Sequence, residues 1–186
     1  MEKILAAVFL LIPLAASAER ADVLKPINIQ YEKANVDQAA QNYVATGNVV
    51  ITRGPMVLKS DRAEVKEAPD GYHMFTLTAE PGKLATFRQK RDGDADLWDE
   101  GHAERIEYDE RHDVVKLISK AMIRQLEGAK VTQEMVNEFI SYDNRQEVLL
   151  GRNEASGDDR PGNGRGSITL QPQRTPAPVA SAADKQ

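Results

Sequence analysis

The feature of this chain that most limits its fold is the alternation of apolar and polar residues in short runs. Turn pairs such as Asp70-Gly71, Pro81-Gly82 and Glu127-Gly128 separate the runs, and helical periodicity is almost missing. A period of two is typical of strands that bury one face and expose the other. Many such strands, spaced by roughly ten residues, predict an all-β sandwich, roll or barrel.

One stretch changes the phase of this alternation. Met56 and Leu58 share one parity, whereas Ala63 and Val65 have the other. Because a slip of one residue moves every side chain to the opposite face of a sheet, a bulge or corner near Ser60-Asp61 is needed to keep all four on one face. Bulges bend strands, so we expect a curved roll and not a flat sheet.

This corner lies in the first copy of a loose internal repeat. Each copy reads as a small or turn-prone residue, an acid, any residue, and then apolar, polar, apolar and charged residues. The acids stand 43 and 34 residues apart, so the repeat is irregular in length. A strand that is entered through a polar corner and turns two apolar residues inward accounts for the pattern. The copies are Ser60–Lys66, Ala103–Asp109 and Asn137–Asp143.

The two ends of the chain depart from the strand pattern. An apolar run at 4–14 and a small-x-small site predict a secretory signal peptide over residues 1–18, cut between Ala18 and Glu19. The run is too short to span a bilayer as a helix, which needs roughly 20 residues. Residues 173–186 are rich in Pro and Ala, and we expect them to be disordered. This leaves one β domain over residues 19–172, with a last strand near its end.

Composition and motifs argue against several classes of function. The chain has no cysteine, which excludes disulfides and thiol chemistry, and its net charge of −5 leaves no broad basic face for nucleic acid. Gly47 and Gly54 flank a strand and do not form a phosphate loop. The segment Asp92–Asp96 resembles a calcium loop, but Leu97 and Ala103 stand where that loop needs Gly and Glu. We therefore expect no enzyme activity, no catalytic residue, no metal and no cofactor.

The inner faces of the strands leave two interpretations open. The first is an ordinary closed core, which apolar alternation most often produces. The second is an open roll whose inner face accepts lipid tails. Each buried methylene contributes ~0.8 kcal/mol, so about ten would give ~8 kcal/mol before ordering costs. Such a groove needs no catalytic residue.

A set of short motifs in a fixed order resembles the LptA/OstA-like family of lipopolysaccharide-transport proteins, nearly to Pro172. In one departure from the family pattern, Ser119-Lys120-Ala121 replaces a Gly-Asn turn, so no strand register is predicted for the C-terminal third. The motifs are Pro26–Ile29, Thr46-Gly47-Asn48-Val49-x-Ile51, Ser60-Asp61-x-Ala63-x-Val65, Lys83–Phe87, Gly101-His102-Ala103-Glu104-x-Ile106-x-Tyr108 and Val115-x-Leu117.

The resemblance implies a curved β-jellyroll, open along one side, in a Gram-negative periplasm. Copies would stack head to tail by pairing their edge strands and would link an LptC-type inner-membrane component to an LptD-type outer-membrane translocon. Lipopolysaccharide would keep its acyl chains in the apolar groove and its sugars in water. Alternation and the family pattern together predict these groove residues: Ile27, Ile29, Val49, Ile51, Met56, Leu58, Phe75, Leu77, Phe87, Ile106, Tyr108, Leu117, Ile140 and Tyr142.

Two alternatives remain beside this interpretation. A jelly-roll protein or enzyme that acts on envelope glycan would usually present stacked aromatic residues in a cleft, and the chain has one Trp and four Phe. A membrane-tethered relative of the LptC type would keep its N-terminal apolar helix, whereas the site after Ala18 predicts cleavage. The sequence therefore favours a transport protein over both.

Overall fold

The computed structural model of the protein describes residues 25–91, 96–162 and 164–172. The predicted signal peptide with its cleavage site at Ala18 and Glu19, most of the aspartate-rich segment at 92–95, and the tail at 173–186 lie outside these residues. The described part forms strands β1 (Asn28–Gln30), β2 (Lys33–Asp37), β3 (Asn42–Arg53), β4 (Met56–Glu67), β5 (His73–Thr78), β6 (Ala85–Lys90), β7 (Leu97–Ala103), β8 (Arg105–Asp109), β9 (Val114–Glu127), β10 (Lys130–Asp143), β11 (Val148–Arg152) and β12 (Ser167–Leu170).

These strands form two facing antiparallel layers. The long strands β3, β4, β9 and β10 bend near their middle, so that one half lies in each layer. Layer 1 contains, in order, β1, the second half of β3, the first half of β4, β6, β7, the second half of β9, the first half of β10 and β12. Layer 2 contains β2, the first half of β3, the second half of β4, β5, β8, the first half of β9, the second half of β10 and β11.

The architecture confirms the predicted all-β class and the curved antiparallel jellyroll. In the described residues the chain has no helix, and so none that is long and apolar enough to cross a membrane. Alternation within each half-strand turns one set of side chains toward the facing layer. The apolar core therefore lies between the two layers.

A β-bulge bends the first pair of long strands. Gly47 and Asn48 of β3 together face the single residue Asp61 of β4, and both have positive φ angles of 81° and 43°. An extra residue with left-handed backbone increases the local twist and turns the strand. The buried face of β4 changes parity at this point, which confirms the corner predicted near Ser60-Asp61.

A second bulge of the same kind bends β9 and β10. Ser119 and Lys120 face Glu138 alone and also have positive φ angles, 62° and 53°. They take the structural place of Gly47-Asn48 although neither residue is a glycine. The C-terminal third therefore contains the same backbone turn, although its sequence there is not Gly-Asn.

The acids of the internal repeat lie at this line of bends, which we call the corner. Asp61 accepts hydrogen bonds from the Glu80 backbone N–H (2.8 Å) and from Lys83 Nζ (3.0 Å), which close the connection from β5 to β6. Glu104, between β7 and β8, pairs with Lys120 at 2.6 Å. The repeat therefore marks the points at which the chain passes from one layer to the other.

Candidate functional site

The interior between the layers is one continuous apolar cluster. Ile27 and Ile29, at the N-terminal end of layer 1, are half-buried and pack against this cluster. The other predicted groove residues belong to it and are at most 4% exposed, so the structure places all fourteen on the inside of the fold. The buried ones are Val49, Ile51, Met56, Leu58, Phe75, Leu77, Phe87, Ile106, Tyr108, Leu117, Ile140 and Tyr142.

Sequence reasoning did not single out a row of five buried alanines beside the corner. Ala45 faces Ala63 across β3 and β4, Ala85 faces Ala103 across β6 and β7, and Ala121 follows the bulge in β9. None is more than 5% exposed. Small side chains fit here because the two layers converge at the bend. The sequence does show an alanine close to each corner residue. The repeat pattern did not reveal this, because it describes these positions only as small or apolar.

Large apolar side chains continue the interior to both ends of the layers. Ile168 and Leu170 of β12 flank the inward face of β10, where Ile168 pairs with buried Met135. Paired residues of antiparallel strands point to the same side, so both point inward although they are 59% and 69% exposed. At the opposite end Val36 of β2 pairs with the inward Tyr43 and is 50% exposed. The apolar interior thus meets solvent at its two ends.

The side opposite the corner, where the strands of both layers end, is here called the mouth, and its first bridge is an ion pair. Arg53, the last residue of β3 in layer 1, binds Glu110, which follows β8 in layer 2, with 2.6 Å between Nη2 and Oε1. The other Glu110 oxygen lies 2.7 Å from His73 Nδ1. Burial alone would raise the pKa of Glu110, but the hydrogen bonds from Arg53 and His73 outweigh it and hold that pKa below its usual value.

The second bridge across the mouth joins β7 to β10. Asp99 points into the interior, is 1% exposed, and interacts with the Tyr142 hydroxyl of layer 2. Arg91, just after β6, places Nε 3.7 Å from Asp99 Oδ1. Burial raises the pKa of Asp99, and the Tyr142 hydroxyl and the Arg91 charge offset only part of this rise.

The third bridge joins the end of β6 to the turn after β10. Asn144 Nδ2 lies 3.4 Å from Gln89 Oε1 in layer 1 and donates to Asp113 Oδ1 at 2.8 Å. The Tyr108 hydroxyl also donates to Asp113, at 3.2 Å. Side chains and not backbone ladders thus hold the layers together along the mouth, in the residues that the structure describes.

The two remaining histidines and Gly47 do not come together in a catalytic or binding site. His112 pairs with Asp109 on the surface, and His102 lies away from the mouth on β7. A Cβ added at Gly47 would come within 2.7 Å of the Glu32 Cβ, so this glycine allows close packing and does not cradle a phosphate. Across the described ranges, no group of three or more His, Asp or Glu residues is arranged to hold a metal ion.

Residues 28–148 match the model of a family described as LptA/(LptD N-terminal domain) LPS transport protein. The chain is also 30% identical to the lipopolysaccharide export system protein LptA of Escherichia coli (strain K12) over 141 residues, which is 69% of this chain and 70% of that protein. It is 25% identical over 155 residues to the protein of the same name from Haemophilus influenzae, covering 83% and 81% of the two chains.

A solved structure has the same fold. The crystal structure of LptH, the LptA-homologous periplasmic component of the lipopolysaccharide transport device of Pseudomonas aeruginosa, superposes with a TM-score of 0.69 and 26% identity. The match covers 81% of this chain and 99% of that structure. By the family model, the sequence relatives and this fold, the chain belongs to the LptA/LptD N-terminal-domain family of lipopolysaccharide transport proteins.

Proposed function

We propose that this protein is a periplasmic bridge that carries lipopolysaccharide from the inner to the outer membrane. It shelters the acyl chains between its two layers and leaves the sugars in water. The single observation that carries the proposal is the continuous apolar interior that reaches solvent at both ends of the layers, with Ile168 and Leu170 at one end and Val36 at the other. A closed core would end in polar caps, whereas a conduit needs apolar ends.

Lipid uptake requires the layers to part, because the interior side chains are packed against one another. The corner is made of continuous strands, whereas in the described ranges the mouth is closed by side-chain bridges alone, so separation at the mouth breaks the fewest backbone hydrogen bonds. About ten buried methylenes on an acyl chain contribute ~8 kcal/mol, which offsets the packing lost when the layers move apart. Acyl chains therefore replace protein side chains as the neighbours of the inner face.

The edges of the layers support the proposed partners. Among the strands that the structure describes, β1 and β2 lie at one end and β11 and β12 at the other, each with one unpaired edge. Strand addition at these edges would join copies head to tail and would also receive an LptC-type component at one end and an LptD-type translocon at the other. Inward apolar residues at each edge would then form one continuous conduit. Export by the signal peptide at 1–18 would place the protein in the periplasm.

Site-specific photo-crosslinking to lipopolysaccharide tests the proposal. A photoreactive residue at Ile29 or Ile168, both on the inner face, is expected to label the lipid, and one at Lys59, which is exposed on β4, is not. The variant Ile29→Glu should weaken binding about tenfold or more, because it places a charge among acyl chains. Phe87 is less suitable for this test because it is only 1% exposed, and a charge there would unfold the protein.

Two results would reject the groove. One is equal labelling from Lys59 and from the inner positions, which would indicate non-specific contact. The other is full lipopolysaccharide binding by a folded Ile29→Glu protein. The matched control Lys59→Glu adds the same charged side chain to the outer face of layer 1 and is expected to bind normally.

A further inference from the structure

Two arginines lie on the same rim of the mouth. Arg53 is the last residue of β3 and Arg91 follows β6 directly, and both strands pair with the first half of β4 between them. Neighbouring strands are ~4.8 Å apart, so the two arginine backbones are separated by about two strand spacings, on the order of 10 Å. Layer 1 thus carries two guanidinium groups side by side at its free edge.

Each guanidinium lies near a carboxylate that is almost fully buried. Arg53 and Glu110 form a pair in which the side chains are 6% and 5% exposed, and Glu110 belongs to layer 2. Arg91 lies 3.7 Å from Asp99, which belongs to layer 1 as Arg91 does and interacts with the Tyr142 hydroxyl of layer 2. Burying charged groups costs several kcal/mol per ion, and well-packed apolar residues often serve a closed core as well or better. These charges therefore call for a role beyond holding the layers together.

Opening of the mouth would change the partners of these groups. When the layers part, Glu110 and Tyr142 move with layer 2, whereas Arg53, Arg91 and Asp99 stay with layer 1, so Arg53 loses its carboxylate partner. An amphiphile whose acyl chains enter between the layers must leave its polar headgroup at that rim. A guanidinium binds phosphate through two parallel charge-assisted hydrogen bonds. A phosphate can therefore replace the hydrogen bonds and the negative charge that the guanidinium loses when the carboxylate moves away.

We infer that Arg53 and Arg91 form a headgroup site that binds the phosphates of the lipid, and that Glu110 occupies the Arg53 guanidinium while the interior is empty. The inference rests on the proposed function, since it concerns a lipid held between the layers. The exchange of carboxylate for phosphate couples opening of the mouth to recognition of the headgroup. A lipid without phosphate cannot replace the carboxylate at the guanidinium, so the site selects phosphorylated amphiphiles.

Binding of two lipids that differ only in phosphate tests the site. The full chain is titrated with diphosphoryl lipid A and with monophosphoryl lipid A of the same acylation. Wild-type protein is expected to bind the diphosphoryl lipid about tenfold more tightly, the effect of one charge-assisted phosphate contact. The variants Arg53→Met and Arg91→Met should lose most of this preference while still binding the monophosphoryl lipid. Arg62→Met, which removes an exposed arginine of β4 away from the mouth, is the matched control and should keep it.

The variant Glu110→Gln distinguishes a binding role from a structural one and does not depend on the arginine variants folding. Removing the competing carboxylate should tighten binding of the diphosphoryl lipid several-fold, whereas a purely structural ion pair predicts unchanged or weaker binding. Equal wild-type affinity for the two lipids would overturn the headgroup site and leave the transport function standing. Failure of wild-type protein to bind either lipid would overturn the transport function itself.

Discussion

At the scale of single residues, Glu110 makes the mouth sensitive to acid. Its pKa is lowered in the folded protein, because the hydrogen bonds from Arg53 and His73 outweigh the effect of burial. A carboxyl group with a lowered folded-state pKa stabilises the fold above its ordinary pKa of 4.5, and this contribution is lost as the pH falls through the lowered value. Closure of the mouth should therefore weaken below the ordinary pKa of Glu110.

The variant Glu110→Gln measures this contribution. At neutral pH the change should lower the free energy of unfolding by about 3 kcal/mol, because Arg53 loses its buried counter-charge. The difference between wild type and variant should shrink as the pH is lowered from about 6 to about 3, since protonated Glu110 resembles the neutral amide. Urea unfolding at a series of pH values gives both numbers. A difference that stays constant across this range would show that the Glu110 charge does not stabilise the fold.

At the scale of strands, the two bulges have the same geometry but different sequences. Gly47 occupies its left-handed backbone without strain and lies against Glu32, whereas Ser119 and Lys120 adopt similar φ angles with a Cβ present. Left-handed backbone costs a residue with a side chain roughly 1 kcal/mol or more. The corner in β9 therefore stores more strain than the corner in β3, where Gly47 and Asn48 are residue types that adopt left-handed backbone most easily.

Glycine exchange at the two corners tests this difference. Ser119→Gly should stabilise the protein by up to about 1 kcal/mol, because it relieves the left-handed strain. Gly47→Ala should destabilise it by more than 1 kcal/mol, since it adds the same strain and places a Cβ against Glu32. Thermal unfolding of both variants provides the measurement. Opposite shifts in Tm are expected, and a loss of stability in both would contradict the strain at Ser119.

Sequence reasoning predicted the features of the strands better than it predicted contacts between the layers. Alternation with a period of two identified the inward side chains, and a parity change identified the corner at Ser60-Asp61, because both are local properties of the backbone. The corner at Ser119-Lys120 was not predicted, because two residues with left-handed backbone leave no local signal in the sequence when neither is a glycine. The ion pair between Arg53 and Glu110 was not predicted either. The two residues are far apart in the chain, and they meet only because the two layers pack face to face.

At the scale of the whole molecule, the fold has one edge of continuous strands and one edge of side-chain bridges. Four long strands cross the corner and fix the two layers to each other there. Three bridges, centred on Glu110, Asp99 and Asn144, close the mouth. We therefore expect the motion that admits a lipid to be a hinge-like opening about the corner, with the mouth bridges as the contacts that break.

A removable cross-link over the mouth would test whether lipid enters by this opening. The chain has no cysteine, so Gln89→Cys with Asn144→Cys creates one defined pair between the layers, which a short bifunctional reagent can join by forming a disulfide with each thiol. The closed loop should raise the free energy of unfolding by about 4 kcal/mol and should abolish lipopolysaccharide binding, and a reductant that cleaves the linker should restore both to their initial values. The matched pair Lys59→Cys with Thr86→Cys joins β4 to β6 within layer 1 and should bind lipid normally after the same treatment. Full binding by the protein that is cross-linked across the mouth would show that acyl chains reach the interior without separation of the layers, and entry through the two apolar ends would then be the only route that the interior offers.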